Sequence, residues 1–272
     1  MRRNSNNLRD RLTSHLPSNL KRISNKPLNF ASMLPNMTTV LALCTGLSSV
    51  RFALMGQWEF AIIAIFASAI MDTMDGRLAR YLGSTSRFGA ELDSLSDFIC
   101  FGVSPTLIVY LRSLHEWNGL GWIITLYFSV CMALRLARFN TVSIEGDSDN
   151  WPETYFMGIP APPGAIIVLM PLMIDIVLKN MSITSPVTSP YVMTIMLLLV
   201  GTLCISKVPT FSHKTIKIAP KYVPYVLICV ALLGGALFVE PWVTLSVISI
   251  AYLFTIPFSI TKFRKEHRGS AT

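Results

Sequence analysis

Apolar residues fill stretches of about twenty positions along nearly the whole chain, and polar residues gather in the short gaps between them. A hydrocarbon layer of roughly 30 Å asks for helices of that length. The pattern predicts eight spans: Pro35 to Gly56, Trp58 to Arg80, Gly89 to Leu111, Trp117 to Phe139, Ile159 to Leu178, Pro190 to Ser206, Tyr222 to Glu240 and Pro241 to Ile260. The sixth is short, and only Glu240 and Pro241 separate the last two. The expected fold class is an all-α integral membrane protein with about eight transmembrane helices.

Composition agrees. The 272-residue chain is 52% hydrophobic and 14% charged, whereas soluble domains carry about a quarter charged residues. The five cysteines (Cys44, Cys100, Cys131, Cys204, Cys229) lie within apolar stretches and form no C-x-x-C pair, which reads as buried free thiols. The four histidines (His15, His115, His213, His267) show no metal-binding spacing. Residues 1–33 form a basic segment without the apolar core of a signal peptide. Within it, Leu8, Leu12, Leu16 and Leu20 recur among cations, a pattern that suits either an interfacial helix or a basic tail.

Charge orients the stack. All but three of the 23 Lys and Arg residues cluster before span one, between spans two and three, after span four, after span six, or at the C-terminus. The exceptions are Arg51, Arg112 and Lys179. Such asymmetry places those loops and both termini in the cytoplasm. The net charge of +8 then reflects topology and anionic lipid rather than nucleic-acid binding. No parallel or inverted repeat is visible, which argues against a secondary transporter.

One segment does not read as membrane filler. Asp72 and Asp75 stand three apart at the end of span two, and Asp93 and Asp97 four apart at the start of span three. Each pair shares a face of its helix. Asp72 lies about 21 Å along span two from Trp58 at 1.5 Å per residue, so all four carboxylates reach one depth, near the cytoplasmic edge. Acids within spans are costly and mark working sites. Oxygen-only ligands favour hard divalent ions, here Mg²⁺ or Mn²⁺, with two ions expected. Paired metals suit displacement at phosphorus. Gly76 lets a ligand approach the backbone, and Arg80 can pair with phosphate. The competing explanation, that these acids cap helix ends or pair with Arg77, Arg80 and Arg87, suits one aspartate better than all four.

The segment reads D-x-x-D-G-x-x-A-R, then eight residues, then G-x-x-x-D-x-x-x-D, over Asp72, Asp75, Gly76, Ala79, Arg80, Gly89, Asp93 and Asp97. It resembles the signature of the CDP-alcohol phosphatidyltransferase family. That resemblance implies six core spans, a homodimer, and a divalent metal on Asp72, Asp75, Asp93 and Asp97. Asp97, with Asp93, would act in catalysis, Asp97 as the base for the attacking hydroxyl. Gly76, Ala79 and Arg80, with Arg87, would bind the CDP-lipid, and Asn36 and Thr39 of the first span would line the same nucleotide pocket. The implied division is a catalytic core over residues 34–206 and two further helices with a basic tail over 207–272.

Acceptor identity rests on further resemblances. The runs Phe88 to Asp97, Phe101 to Pro105, Arg135 to Asn140 and Gly158 to Pro162 are similar to the branch of the family that uses L-serine. Ser96 and Cys100 depart from that branch, where Ala and a small polar residue are expected. Serine carries a carboxylate, and Arg135 and Arg138, three apart, offer cations on one helix face. Arg135, Arg138 and Asn140 are the expected serine-binding residues. Glycerol 3-phosphate and inositol phosphate are the alternative acceptors, and a transporter or lipid-binding scaffold the alternative class. The expected partners are CDP-diacylglycerol, L-serine, membrane lipids and a second copy of the chain, with no nucleic acid. The expected location is a bacterial inner membrane, with the site facing the cytoplasm. Elsewhere, Asp175 and Lys179 read as an ion pair, Arg51 as snorkelling, and Trp58, Trp117 and Trp242 as interface anchors.

Overall fold

A computed structural model describes residues 30–84, 86–145, 155–211 and 220–268. The basic segment before residue 30, most of the acidic loop after span four, and Lys214 and Lys217 lie outside the described residues.

Every expected span corresponds to a helical element. These are α1 (Phe30–Leu54), α2 (Trp58–Tyr81), an interrupted third span made of α3 (Arg87–Asp97) and α4 (Ser104–Arg112), α5 (Asn118–Glu145), α6 (Ala161–Asn180), α7 (Pro190–Ile205), α8 (Val223–Val239) and α9 (Pro241–Arg268). Among the described residues five stretches are long and apolar enough to cross a membrane: Met33–Leu54, Arg87–Arg112, Leu114–Thr141, Ala161–Asn180 and Pro241–Phe263. The other three differ for physical reasons. Helices α7 and α8 are apolar but shorter, at 16 and 17 residues, while α2 has 24 residues but carries Glu59, Asp72, Asp75, Arg77 and Arg80. The protein is an all-α, multi-pass membrane protein.

Helix α6 forms the centre, burying Ala165, Ile167, Val168, Leu169, Leu172 and Met173. Phe128 and Met132 of α5, Ile62 and Ile65 of α2, and Phe101 pack around it. Helix α8 is the opposite case: it is apolar on every side, and all residues from Lys221 to Glu240 are exposed. A helix of that kind meets lipid or another apolar surface.

Three features were not anticipated. The third span is broken by a π-helical stretch, Phe98–Val103, directly after Asp97. The displaced Gly102 carbonyl accepts hydrogen bonds from Thr106 Oγ1 at 3.0 Å and Ser129 Oγ at 3.2 Å. Secondly, strands β1 (Tyr155–Met157) and β2 (Pro209–Phe211) pair antiparallel, with Phe156 opposite Thr210. Gly158, at φ +71°, follows β1, and a Cβ there would sit 2.6 Å from the Cys204 carbonyl oxygen, so only glycine fits. Thirdly, Trp242 is buried at 8% exposure in the apolar core, which corrects its reading as an interface anchor. Trp58 and Trp117 are half-buried. The Arg112 guanidinium lies 5.7 Å from the Trp58 ring centre, and Trp117 meets Tyr191 edge-on at 4.9 Å. All five cysteines are free; Cys100, Cys131 and Cys204 are buried, whereas Cys44 and Cys229 are exposed.

Candidate active site

Helix α2 runs without a break through Asp72 and Asp75 to Tyr81, and Gly83 at φ +58° then turns the chain, as glycine after a helix end commonly does. Ser86 caps α3, its Oγ accepting the Gly89 N–H at 3.0 Å. This short connection brings Asp93 and Asp97 back beside Asp72 and Asp75. Ligand oxygens of Asp72, Asp75 and Asp93 all lie within 4.8 Å of one another. The Asp97 carboxyl is within hydrogen-bonding reach of Asp72, so the fourth acid joins the cluster.

Helix α1 packs over both acid-bearing helices. Thr39 Oγ1 donates to Asp75 Oδ2 at 2.7 Å, with both residues buried. Ser68 Oγ donates to the Ala42 carbonyl at 3.0 Å, Cys100 Sγ reaches the same carbonyl at 3.5 Å, and Ser96 Oγ reaches the Thr39 carbonyl at 3.4 Å. A Cβ at Gly46 would run into Cys100 Sγ, and one at Gly89 would lie 2.8 Å from Asn36 Oδ1. Small residues at these crossings allow the close approach. Ser96 and Cys100, the two departures from the expected pattern, are thus the residues that fasten α3 and its π-helical extension to α1.

Of the other expected residues, Gly76 is exposed, with open space where a side chain would project. Arg80 is exposed on the same stretch of α2, its Nε donating to the Gly76 carbonyl at 3.1 Å, and Arg87 is also exposed. Arg135 lies within electrostatic range of Asp97 and near Cys204 and Tyr252, and its Nε is buried without a hydrogen-bond partner among the described residues. Tyr252, on the last helix, was not anticipated as a neighbour of the site, because 117 positions of sequence separate it from Arg135.

Arg138 behaves differently from Arg135. Its Nη1 donates to the Ile205 carbonyl at 2.7 Å and its Nη2 to the Ser206 carbonyl at 3.4 Å. It therefore satisfies the C-terminal carbonyls of α7, a favourable place for a cation. Asn140 Nδ2 donates to Ser94 Oγ at 2.8 Å and ties α5 to α3 between the two aspartates. The end of α5 thus carries one arginine beside the acids and two residues that brace neighbouring helices.

Buried Oδ1 atoms of Asp93 and Asp97 have no hydrogen-bond partner among the described residues. Neither does any of the four aspartates form an ion pair with Lys, Arg or His among those residues. Buried polar atoms are ordinarily satisfied, and converging carboxylates repel one another unless cations intervene. The donor set consists of carboxylate oxygens and fits a hard divalent cation.

Residues 32–205 match the family model for CDP-alcohol phosphatidyltransferases, and residues 221–257 match a second model, CDP-alcohol phosphatidyltransferase 2. The chain belongs to the CDP-alcohol phosphatidyltransferase family. It is similar to three curated proteins that each carry the name CDP-diacylglycerol–serine O-phosphatidyltransferase. The Mycobacterium leprae protein is 38% identical over 84% of this chain and 74% of its own length. The Helicobacter pylori 26695 protein is 34% identical over 84% and 90%, and the Methanocaldococcus jannaschii protein 32% identical over 74% and 84%.

Proposed function

We propose that the protein transfers the phosphatidyl group of CDP-diacylglycerol to L-serine, giving phosphatidylserine and CMP. The observation that carries the chemistry is the convergence of Asp72, Asp75 and Asp93, with Asp97 beside Asp72, from two helices, with no Lys, Arg or His paired to them among the described residues. The three relatives' shared name supports serine as the acceptor.

Asp72, Asp75, Asp93 and Asp97 would hold Mg²⁺ or Mn²⁺, and two ions suit the number of acids. Such a cation, when bound, neutralises phosphate oxygens and stabilises charge on the leaving CMP. The chain's own groups do the rest. Gly76 leaves room for the nucleotide against α2, and Ala79, Arg80, Arg87 and Asn36 complete the CDP-lipid side. Arg135 receives the serine carboxylate, while Arg138 and Asn140 brace the helices that shape the acceptor pocket. Asp97 accepts the proton of the serine hydroxyl as its oxygen attacks the β-phosphorus in line and the bond to CMP breaks. Positioning and fixed charge supply most of the acceleration, as is general for phosphoryl transfer. Among the described residues no Ser or His stands beside a base in a way that calls for a covalent intermediate, which supports direct attack.

The separate family matches over residues 32–205 and 221–257 support a division into a catalytic core (34–206) and a C-terminal helix pair (207–272). The distribution of Lys and Arg supports a cytoplasm-facing site, and the bacterial relatives support an inner-membrane location. The fully exposed apolar surface of α8 suits a second copy of the chain as well as lipid.

The decisive assay supplies purified protein with CDP-diacylglycerol and labelled serine, glycerol 3-phosphate or inositol phosphate side by side. Labelled lipid and CMP should appear in step with serine alone. Incorporation of glycerol 3-phosphate or inositol phosphate in preference to serine would overturn the acceptor, and no CMP release with any acceptor would overturn the reaction.

A further inference from the structure

The resemblance places Thr39 in the nucleotide pocket, but the geometry gives its hydroxyl other work. Thr39 is 4% exposed, so a ligand could not reach it without uncovering it. Its Oγ1 lies 2.7 Å from Asp75 Oδ2 and 3.0 Å from the Pro35 carbonyl. A hydroxyl has one proton to donate, and an ionised carboxylate accepts it more strongly than a carbonyl does.

The register of α1 fixes this contact. Ser96 reaches the Thr39 carbonyl itself, and Ser68 and Cys100 both reach the Ala42 carbonyl, three residues further on. Gly46, one turn beyond, brings the backbone against Cys100. Helix α1 is thereby fastened to α2 and to the third span at Thr39 and over the two turns that follow it. Those contacts fix the backbone position from which the Thr39 hydroxyl reaches Asp75.

We propose that Thr39 is a positioning residue for the cation site. It holds the Asp75 carboxylate by Oδ2, so that the other oxygen is turned toward Asp72 and Asp93, and it touches neither nucleotide nor acceptor. Ser96 supports it by fixing the backbone from which it reaches. The inference rests on the metal reading above, and it adds a residue that acts through a ligand without being one.

The test measures Mn²⁺ binding to the purified full-length protein without substrate, by electron paramagnetic resonance of the free ion, and separately the apparent KM for CDP-diacylglycerol at saturating Mn²⁺. Thr39→Val removes the hydroxyl at similar volume and should weaken Mn²⁺ binding about tenfold, the order expected for one hydrogen bond to a charged group. The CDP-diacylglycerol KM should stay within about twofold, and Thr39→Ser should restore Mn²⁺ affinity because it keeps the donor. Ser96→Ala should give a smaller shift in the same direction. Asp75→Asn is the control for the underlying reading: unchanged Mn²⁺ binding there would refute the metal site itself. If Asp75→Asn impairs binding but Thr39→Val does not, the positioning role alone falls. A raised CDP-diacylglycerol KM in Thr39→Val with normal Mn²⁺ affinity would return the residue to the nucleotide pocket.

Discussion

Aspartates within the spans occupy two separate places in this helix bundle, a single one in the first and four in the second, and the protein treats them in opposite ways. In the first, Asp175 of α6, 6% exposed, accepts from Arg112 Nη2 at 3.0 Å and Lys179 Nζ at 2.8 Å. In the second, four aspartates crowd together and none has an ion-pair partner among the described residues. A carboxylate matched by the chain's own cations is part of the architecture, since removing it leaves charge unpaired. Carboxylates left without such cations await one from outside. The same residue type therefore braces helices in one place and awaits a ligand in the other, and the difference lies in what surrounds it.

Substitution in each place should expose this contrast. Asp97→Asn carries the largest expected effect: turnover should fall about 10²- to 10⁴-fold, the usual contribution of a positioned base. CDP-diacylglycerol binding should stay measurable by a competition assay, because three acids remain. Near-normal turnover would show that Asp97 is neither base nor essential ligand.

Next come the two arginines that sequence alone treats as a pair. Arg135→Met should raise the serine KM roughly ten- to a hundredfold, at about 1.5–3 kcal/mol for a charge-assisted hydrogen bond, and Arg135→Lys should recover only part of it. Arg138→Met should instead lower thermal stability with little change in serine KM, because its guanidinium holds the Ile205 and Ser206 carbonyls. Equal effects on serine KM would restore the pairing.

Asp175→Asn should have the smallest effect on chemistry. It should cost roughly 1.5–3 kcal/mol of stability, read as a lower unfolding temperature in detergent, and leave the metal requirement unchanged. A shifted Mn²⁺ requirement would mean that the two places are not independent.

Much of this was legible in the sequence. Hydropathy located every span among the described residues, since a span's length is set by the membrane, and the fixed spacing of the aspartates located the acid cluster. What escaped reading depended on contacts between distant positions or on continuity past the apolar stretch. Asp175 and Lys179 are four apart and visible as a pair, whereas Arg112 joins them from 63 residues away. Helices α5 and α9 run on to Glu145 and Arg268, beyond the expected Phe139 and Ile260, because their polar ends contain no helix breaker. The π-helical stretch leaves no signal in Phe98–Val103, an ordinary apolar run. That the Arg138 guanidinium meets the Ile205 and Ser206 carbonyls was equally hidden, because no sequence pattern reveals a backbone partner.

The contrast between the two acid sites comes down to whether the four aspartates work without an added cation. CMP release from CDP-diacylglycerol and serine should be measured on purified protein with all divalent ions removed by EDTA, and again after adding excess Mg²⁺ or Mn²⁺. The account predicts no detectable release in chelator and full recovery with either ion. Undiminished release in chelator would contradict it.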